Sequence, residues 1–156
     1  MLGVVVIVPL VNALSPPPAI AENVLAGHTD TVWSVSTTQL DGRPVIVSGS
    51  DDKTVRVWDL ATGAPIGQPL TGHTSFVKSV ATAQLNGRPV IVSGSDDKTV
   101  RVWDLATCAP IGQPLTGHTH FVQSVATAQL NGRPVIVSGS YDSSIRVWDL
   151  ARRVGS

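Results

Sequence analysis

The sequence predicts an all-β protein built from three copies of one four-stranded antiparallel unit. Three observations carry that prediction. "SGSDDKTVRVWDLAT" stands at Ser48–Thr62 and again at Ser93–Thr107, and "SGSYDSSIRVWDLAR" fills Ser138–Arg152. The interval is 45 residues each time, and the first two copies differ at only 7 of 45 positions. Val-rich stretches are punctuated by Asp-Gly, Asn-Gly and Pro-containing segments, which favours short strands and turns over helices. A repeat of this length signals a stacked array of one supersecondary unit.

Each unit reads as a meander of four strands. After Gly27-His28 comes "TVWSVSTTQ", then Asp41-Gly42, a strong hairpin signal that the later copies spell Asn86-Gly87 and Asn131-Gly132. The next stretch, "PVIVSGS", is almost continuously apolar, as a strand buried on both faces requires. A tight turn at Asp51-Asp52-Lys53 leads into "TVRVWDL", where Val55 and Val57 alternate with Arg56 and Trp58. Last comes "GAPIGQPLTGH", an outer strand interrupted by Pro65 and Pro69. Proline fits an edge strand, whose outward positions need no N–H for a ladder.

Bulk composition narrows the function classes. The chain has 156 residues, 42% of them hydrophobic and 14% charged. Eleven basic and eleven acidic residues cancel, so nothing electrostatic holds a phosphate backbone and nucleic acid is set aside as a partner. Cys108 is the single cysteine, which excludes an intramolecular disulfide. It replaces Gly63 of the preceding copy and has no basic neighbour to activate it, so it reads as turn drift. Residues 1–21 begin with an apolar run too short to span a bilayer, and no integral membrane span is expected. Two readings of that segment stand. It resembles a secretory signal with Ala19-Ile20-Ala21 as the cleavage site, or it is a remnant of upstream coding sequence. No Lys or Arg precedes the run, so a cytoplasmic chain is the first expectation and a secreted one follows if residues 1–21 are a signal.

The Gly-His start, the "SGS-x-D-x-T" turn and the "RVWD" finish resemble the WD-repeat β-propeller family over roughly Glu22 to Leu150. The spelling of "GAPIGQPLTGHT" and "NGRPVIVSGS" resembles long WD-repeat proteins of filamentous bacteria. The resemblance implies three propeller blades near 27–71, 72–116 and 117–156, with residues about 20–26 supplying the outer strand of the last blade. It also implies a structural tetrad in each blade: His28, Ser48, Asp52 and Trp58; His73, Ser93, Asp97 and Trp103; His118, Ser138, Asp142 and Trp148. In such a buried chain the carboxylate accepts from imidazole, the hydroxyl relays and the indole donates. The first serine of each "SGS" is taken as the member.

A Ser, His and Asp set invites a catalytic reading. Here it occurs three times, with no strand-to-helix elbow or oxyanion hole beside it, so no catalytic residue is assigned. His120 beside His118 makes no metal constellation without further ligands. No metal and no cofactor are expected.

Differences among near-identical copies single out another set. After Gly-His the copies read Asp30, Ser75, His120; then Thr31, Phe76, Phe121; then Trp33, Lys78, Gln123. Just before the tetrad aspartate they read Asp51, Asp96, Tyr141. The family resemblance places these twelve positions on the top rim, where partner proteins dock. Aromatics mixed with Lys and Asp suit a protein or peptide hot spot. Loop drift after duplication explains the same variation equally well.

Three blades do not close a ring, since propellers use about four to eight. Open strand edges invite pairing. A homo-oligomer is therefore expected, a six-blade dimer first and a nine-blade trimer second. A fragment of a longer propeller is the alternative. The first functional expectation is a non-catalytic protein–protein interaction scaffold. The second is a self-assembling structural repeat with no other partner, and the third a channel-site enzyme or small-ligand propeller.

Overall fold

A computed structural model describes residues 22–153; the expectations for residues 1–21 lie outside them. Nine strands form three separate sheets. The first holds β1 (Val32–Leu40), β2 (Arg43–Ser50) and β3 (Val55–Asp59). The second holds β4 (Val77–Leu85), β5 (Arg88–Ser95) and β6 (Val100–Asp104). The third holds β7 (Val122–Leu130), β8 (Arg133–Ser140) and β9 (Ile145–Asp149), followed by a 3-10 turn at Ala151–Arg153. Every neighbouring pair is antiparallel, in chain order.

The two-residue hairpins follow from their sequence. Asp41 and Gly42 take φ of 49° and 75°, and Asn86-Gly87 and Asn131-Gly132 repeat that geometry. Two consecutive left-handed residues make the turn whose twist matches the flanking strands. From that turn the β1–β2 register runs unbroken from Leu40↔Arg43 to Ser34↔Gly49, then slips between Val32 and Ser34. Trp33 is thus the extra residue of a bulge, and Lys78 and Gln123 occupy the same slip in β4 and β7. A bulge re-aims one side chain out of the strict alternation.

The expected fourth strand is reduced. Residues 64–70 meet β3 only through isolated bridges, Val55↔Leu70 and Trp58↔Pro65, and the second blade repeats them as Val100↔Leu115 and Trp103↔Pro110. Ile66 N–H donates to Val57 O at 2.8 Å. Pro65 and Pro69 have no N–H to give, and Gly67 at φ 69° turns the chain between them. Each blade is therefore a three-stranded sheet, bordered in the first two blades by a ragged outer segment.

Alternation along β2 and β3 gives each blade two distinct faces. Val45, Val47, Val55 and Val57 form the back; Ile46, Ser48 and Trp58 form the front. The back of the first blade packs on the front of the second, burying Val77, Val80, Ile91, Trp103 and Leu105 against it. The back of the second packs in the same way on Val122, Val125, Ile136, Trp148 and Leu150 of the third. β1, β4 and β7 lie side by side along the inner edge. Each fully buried valine or leucine in these seams contributes about 1.5–3 kcal/mol relative to exposure.

Candidate functional site: the blade rim and its hydrogen-bonded support

The rim is made where the loop before β1 meets the β2–β3 turn. Three contacts join them in the first blade: Asp51 N–H to Thr31 O at 2.9 Å, Ser50 Oγ to Asp30 O at 3.1 Å, and Thr29 N–H to Asp52 Oδ2 at 3.1 Å. The second and third blades repeat all three. Beneath them runs a network of the residues that the WD-repeat resemblance implies. His28 Nδ1 lies 2.7 Å from Asp52 Oδ2, and His28 Nε2 lies 2.7 Å from Ser48 Oγ. Trp58 Nε1–H donates to Ser48 Oγ at 2.8 Å. In the second blade His73 sits 2.7 Å from both Asp97 and Ser93, and Trp103 donates to Ser93 at 2.9 Å. In the third His118 sits 2.8 Å from both Asp142 and Ser138, and Trp148 donates to Ser138 at 2.9 Å.

Donor capacity orders the chain. An indole N–H only donates and an ionised carboxylate only accepts. Serine therefore accepts from tryptophan and gives its own proton to Nε2, while Nδ1–H donates to aspartate. Each serine in the chain is the first of its "SGS". The second serine works elsewhere: Ser50 Oγ bonds Asp30 O and accepts Asp52 N–H at 3.1 Å.

A fifth member was legible only as a turn residue. Thr54 Oγ1–H donates to Asp52 Oδ1 at 2.6 Å, and Thr99 and Ser144 do the same to Asp97 and Asp142. The available signal is the hydroxyl two residues after each tetrad aspartate. Gly72 explains the start of the motif. It adopts φ 147°, and a Cβ there would lie 2.8 Å from Arg101 Nη1 and 3.4 Å from the Trp103 ring.

These bonds set the acidity of the aspartates. Burial pushes the Asp52 carboxyl up, but hydrogen bonds from Thr54, His28 and the Thr29 and Thr54 amides overcome it and hold the pKa at about 2. For Asp97 burial again opposes, and His73 and Thr99 overcome it, leaving the carboxyl well below the ordinary range. For Asp142 the Ser144 hydroxyl leads in the same direction. A folded pKa below the ordinary 3.8 means that the unfolded chain binds more protons in acid. The contribution is complete above about pH 4 and is lost as pH falls toward about 2. Chemical denaturation at a series of pH values should give a flat midpoint from pH 7 to about 4 and a steep fall below it. Asp97→Asn should be less stable at pH 7 and show a shallower acid slope. An equal slope in the variant would remove Asp97 from the acid transition.

Rim residues fall into bonded and open groups. Lys78 Nζ reaches back 2.9 Å to Asp51 Oδ1 of the first blade, and Gln123 Nε2 reaches 2.8 Å to Asp96 Oδ1 of the second. Lys78 Nζ also lies 3.8 Å from the centre of the Trp33 ring and 5.0 Å from that of Phe76. His120, Phe121 and Tyr141 form a second cluster, with ring centres 4.4 to 6.2 Å apart. Trp33, Phe76 and Tyr141 are exposed. Asp30 Oδ1 accepts the Thr31 amide at 2.7 Å, and Ser75 O accepts from Ser95 Oγ at 3.2 Å. Cys108 lies away from the rim, at φ 57° in the turn where Gly63 has 72°. Burial, then the Asp104 carboxylate, pushes its thiol up. Among the described residues no group of three or more His, Cys, Asp or Glu is placed to hold a metal, and no helix is long and apolar enough to cross a membrane.

Three like sheets stacked face to face, each pinned by its own imidazole–carboxylate–hydroxyl–indole chain, define an arc of β-propeller blades. The chain belongs to the WD-repeat family: the family model described as "WD domain, G-beta repeat" matches residues 21–59, 63–104 and 109–149. Curated relatives include proteins named "Ribosome biogenesis protein BOP1 homolog". The one from Drosophila ananassae is 56% identical over 50 residues, that from Drosophila grimshawi 54% and that from Drosophila melanogaster 52%. Each match covers 32% of this chain and 6% of the relative. The likeness is thus that of about one repeat. These relatives are flies, so the filamentous-bacterial style read from the linkers finds no support in them.

Proposed function

We propose that the chain is a non-catalytic interaction module whose rim docks a protein or peptide. The observation that supports it most is the pair of partly exposed aromatic clusters, one around Lys78 and one at His120, Phe121 and Tyr141. Both stand on loops and turns fixed by the tetrads, so the rings are presented with little freedom left to lose on binding. Aromatic anchors with charged neighbours are the common centre of protein hot spots. The Ser-His-Asp sets support a structural reading over a catalytic one. Ser48, Ser93 and Ser138 are buried, and each hydroxyl is shared between an imidazole and an indole. The role in ribosome biogenesis belongs to the named relatives and is not carried over to this chain.

Trp33, Phe76, Phe121 and Tyr141 substituted together by alanine should abolish capture of a specific partner and leave the melting temperature nearly unchanged. The Phe76→Ala, Phe121→Ala pair alone should weaken capture at least tenfold. A collapse in melting temperature would show that these rings are core rather than docking surface.

A further inference from the structure

The two closed seams show what each face of a blade fits, and among the described residues the front of the first blade and the back of the third lie uncovered. On the front, Val80 and Val125 are 5% and 7% exposed, while their counterpart Val35 is 66% exposed. On the back, Val55 and Val100 are fully buried, while their counterpart Ile145 is 76% exposed. Leu130 and Val147 are exposed beside it.

The fit is a plug and a socket. A methyl at Gly49 would lie 2.8 Å from Val77 Cγ1 and 3.1 Å from Val80 Cγ1 of the next blade. At Gly94 it would lie 2.8 Å from Val122 Cγ1 and 2.9 Å from Val125 Cγ1. The absent side chain of the glycine is the space that the two valines fill. At Gly139, among the described residues, the one neighbour within reach is Ser124 Cβ, at 4.0 Å. The socket is formed and open, and its plug, Val32 and Val35, is exposed at the other end of the arc.

We infer that a second copy of this chain completes the seam head to tail, with Val32 and Val35 of one copy seated on Gly139 of the other. Two copies joined at both ends make a six-blade ring, within the about four to eight blades that propellers use. A front-to-front contact would instead set plug on plug. The closed seams fix the remaining register. Val80 N–H donates to Ser34 Oγ and Val125 N–H to Ser79 Oγ, both at 3.1 Å; Val35 N–H therefore faces Ser124. Lys78 meets Asp51 and Gln123 meets Asp96; Trp33 therefore faces Tyr141. Two residues that stand apart within one chain become an aromatic pair across the joint. Leu70 and Leu115 bridge Val55 and Val100, and in the same register Leu25 falls beside Ile145, which extends the outer edge of the last blade. The inference goes beyond the interaction-module reading: the second copy completes the seam, and the rim stays available to a different protein or peptide.

Sedimentation velocity of the full chain tests it. The wild type should run at twice the 16.3 kDa chain mass. Gly139→Val fills the socket with no clash among the described residues, where Ser124 Cβ at 4.0 Å is in ordinary contact, and should run at one chain mass with an unchanged circular dichroism spectrum. Val35→Asp, altered at an exposed position of the plug, should do the same and carries the test if Gly139→Val fails to fold. Mixing the two single-mass variants should regenerate a two-chain species, because one seam then has both halves intact. Only head-to-tail contact predicts that rescue. A folded wild type at one chain mass overturns the inference, as do variants that keep the two-chain mass or a mixture that stays at one. The Phe76→Ala, Phe121→Ala pair should lose its partner and keep the two-chain mass, so failure of either reading is visible separately.

Discussion

Trp103→Ala should lower the unfolding free energy by about 3–5 kcal/mol, the range for deleting a buried aromatic side chain. Trp103 is 1% exposed and packs in the first seam between two blades. Its loss leaves a cavity in that seam, among valines and leucines of both blades. It also takes the indole N–H away from Ser93 Oγ, a bond of 2.9 Å. Trp103→Phe separates the two effects. The ring mostly refills the space, while Ser93 loses its donor, so a smaller cost of about 1–3 kcal/mol is expected. Equilibrium urea denaturation of both variants provides the comparison. A Trp103→Phe cost equal to that of Trp103→Ala would assign the whole effect to the hydrogen bond.

Gly94→Val should be the most damaging change at a position with no side chain. Its first carbon would sit 2.8 Å from Val122 Cγ1, closer than packed carbons approach. Relief requires the third blade to move off the second, and overpacking of this kind costs about 1–3 kcal/mol or more. The same substitution at Gly139 meets only ordinary contact with Ser124 Cβ at 4.0 Å among the described residues, so the two melting curves should differ although the strands Arg88–Ser95 and Arg133–Ser140 have the same sequence. Equal losses at both positions would mean that strand propensity, not the seam, governs them.

The hairpins could be read directly from the residues, because Asp-Gly and Asn-Gly at fixed intervals name their own turns. The tetrads were legible through the likeness of the Gly-His, SGS-x-D and RVWD motifs to WD repeats. The fourth strand was overdrawn because periodicity counts apolar positions, whereas Pro65, Gly67 and Pro69 decide how many ladder bonds survive. Thr54 was legible only as a turn residue because its hydroxyl bonds within the turn that its backbone makes. The bonds from Lys78 to Asp51 and from Gln123 to Asp96 could not be seen in one repeat. They join different blades, and blade-to-blade distance is a property of the stack. The same blindness hid the role of Gly49 and Gly94, which are space reserved for valines of the next blade.

Near-identity of the seams has a consequence for how the chain orders itself. The front of the third blade offers Val122, Val125 and Ile136, the same residues in the same places as Val77, Val80 and Ile91 of the second. The apolar contacts of the seam therefore give the first blade no means of sorting its proper neighbour from the next one along. The tether between β3 and β4 does the sorting, since it brings the adjacent sheet within reach first. Lengthening that tether should raise the share of misassembled, exchanged species during refolding at high protein concentration, without changing any residue that packs.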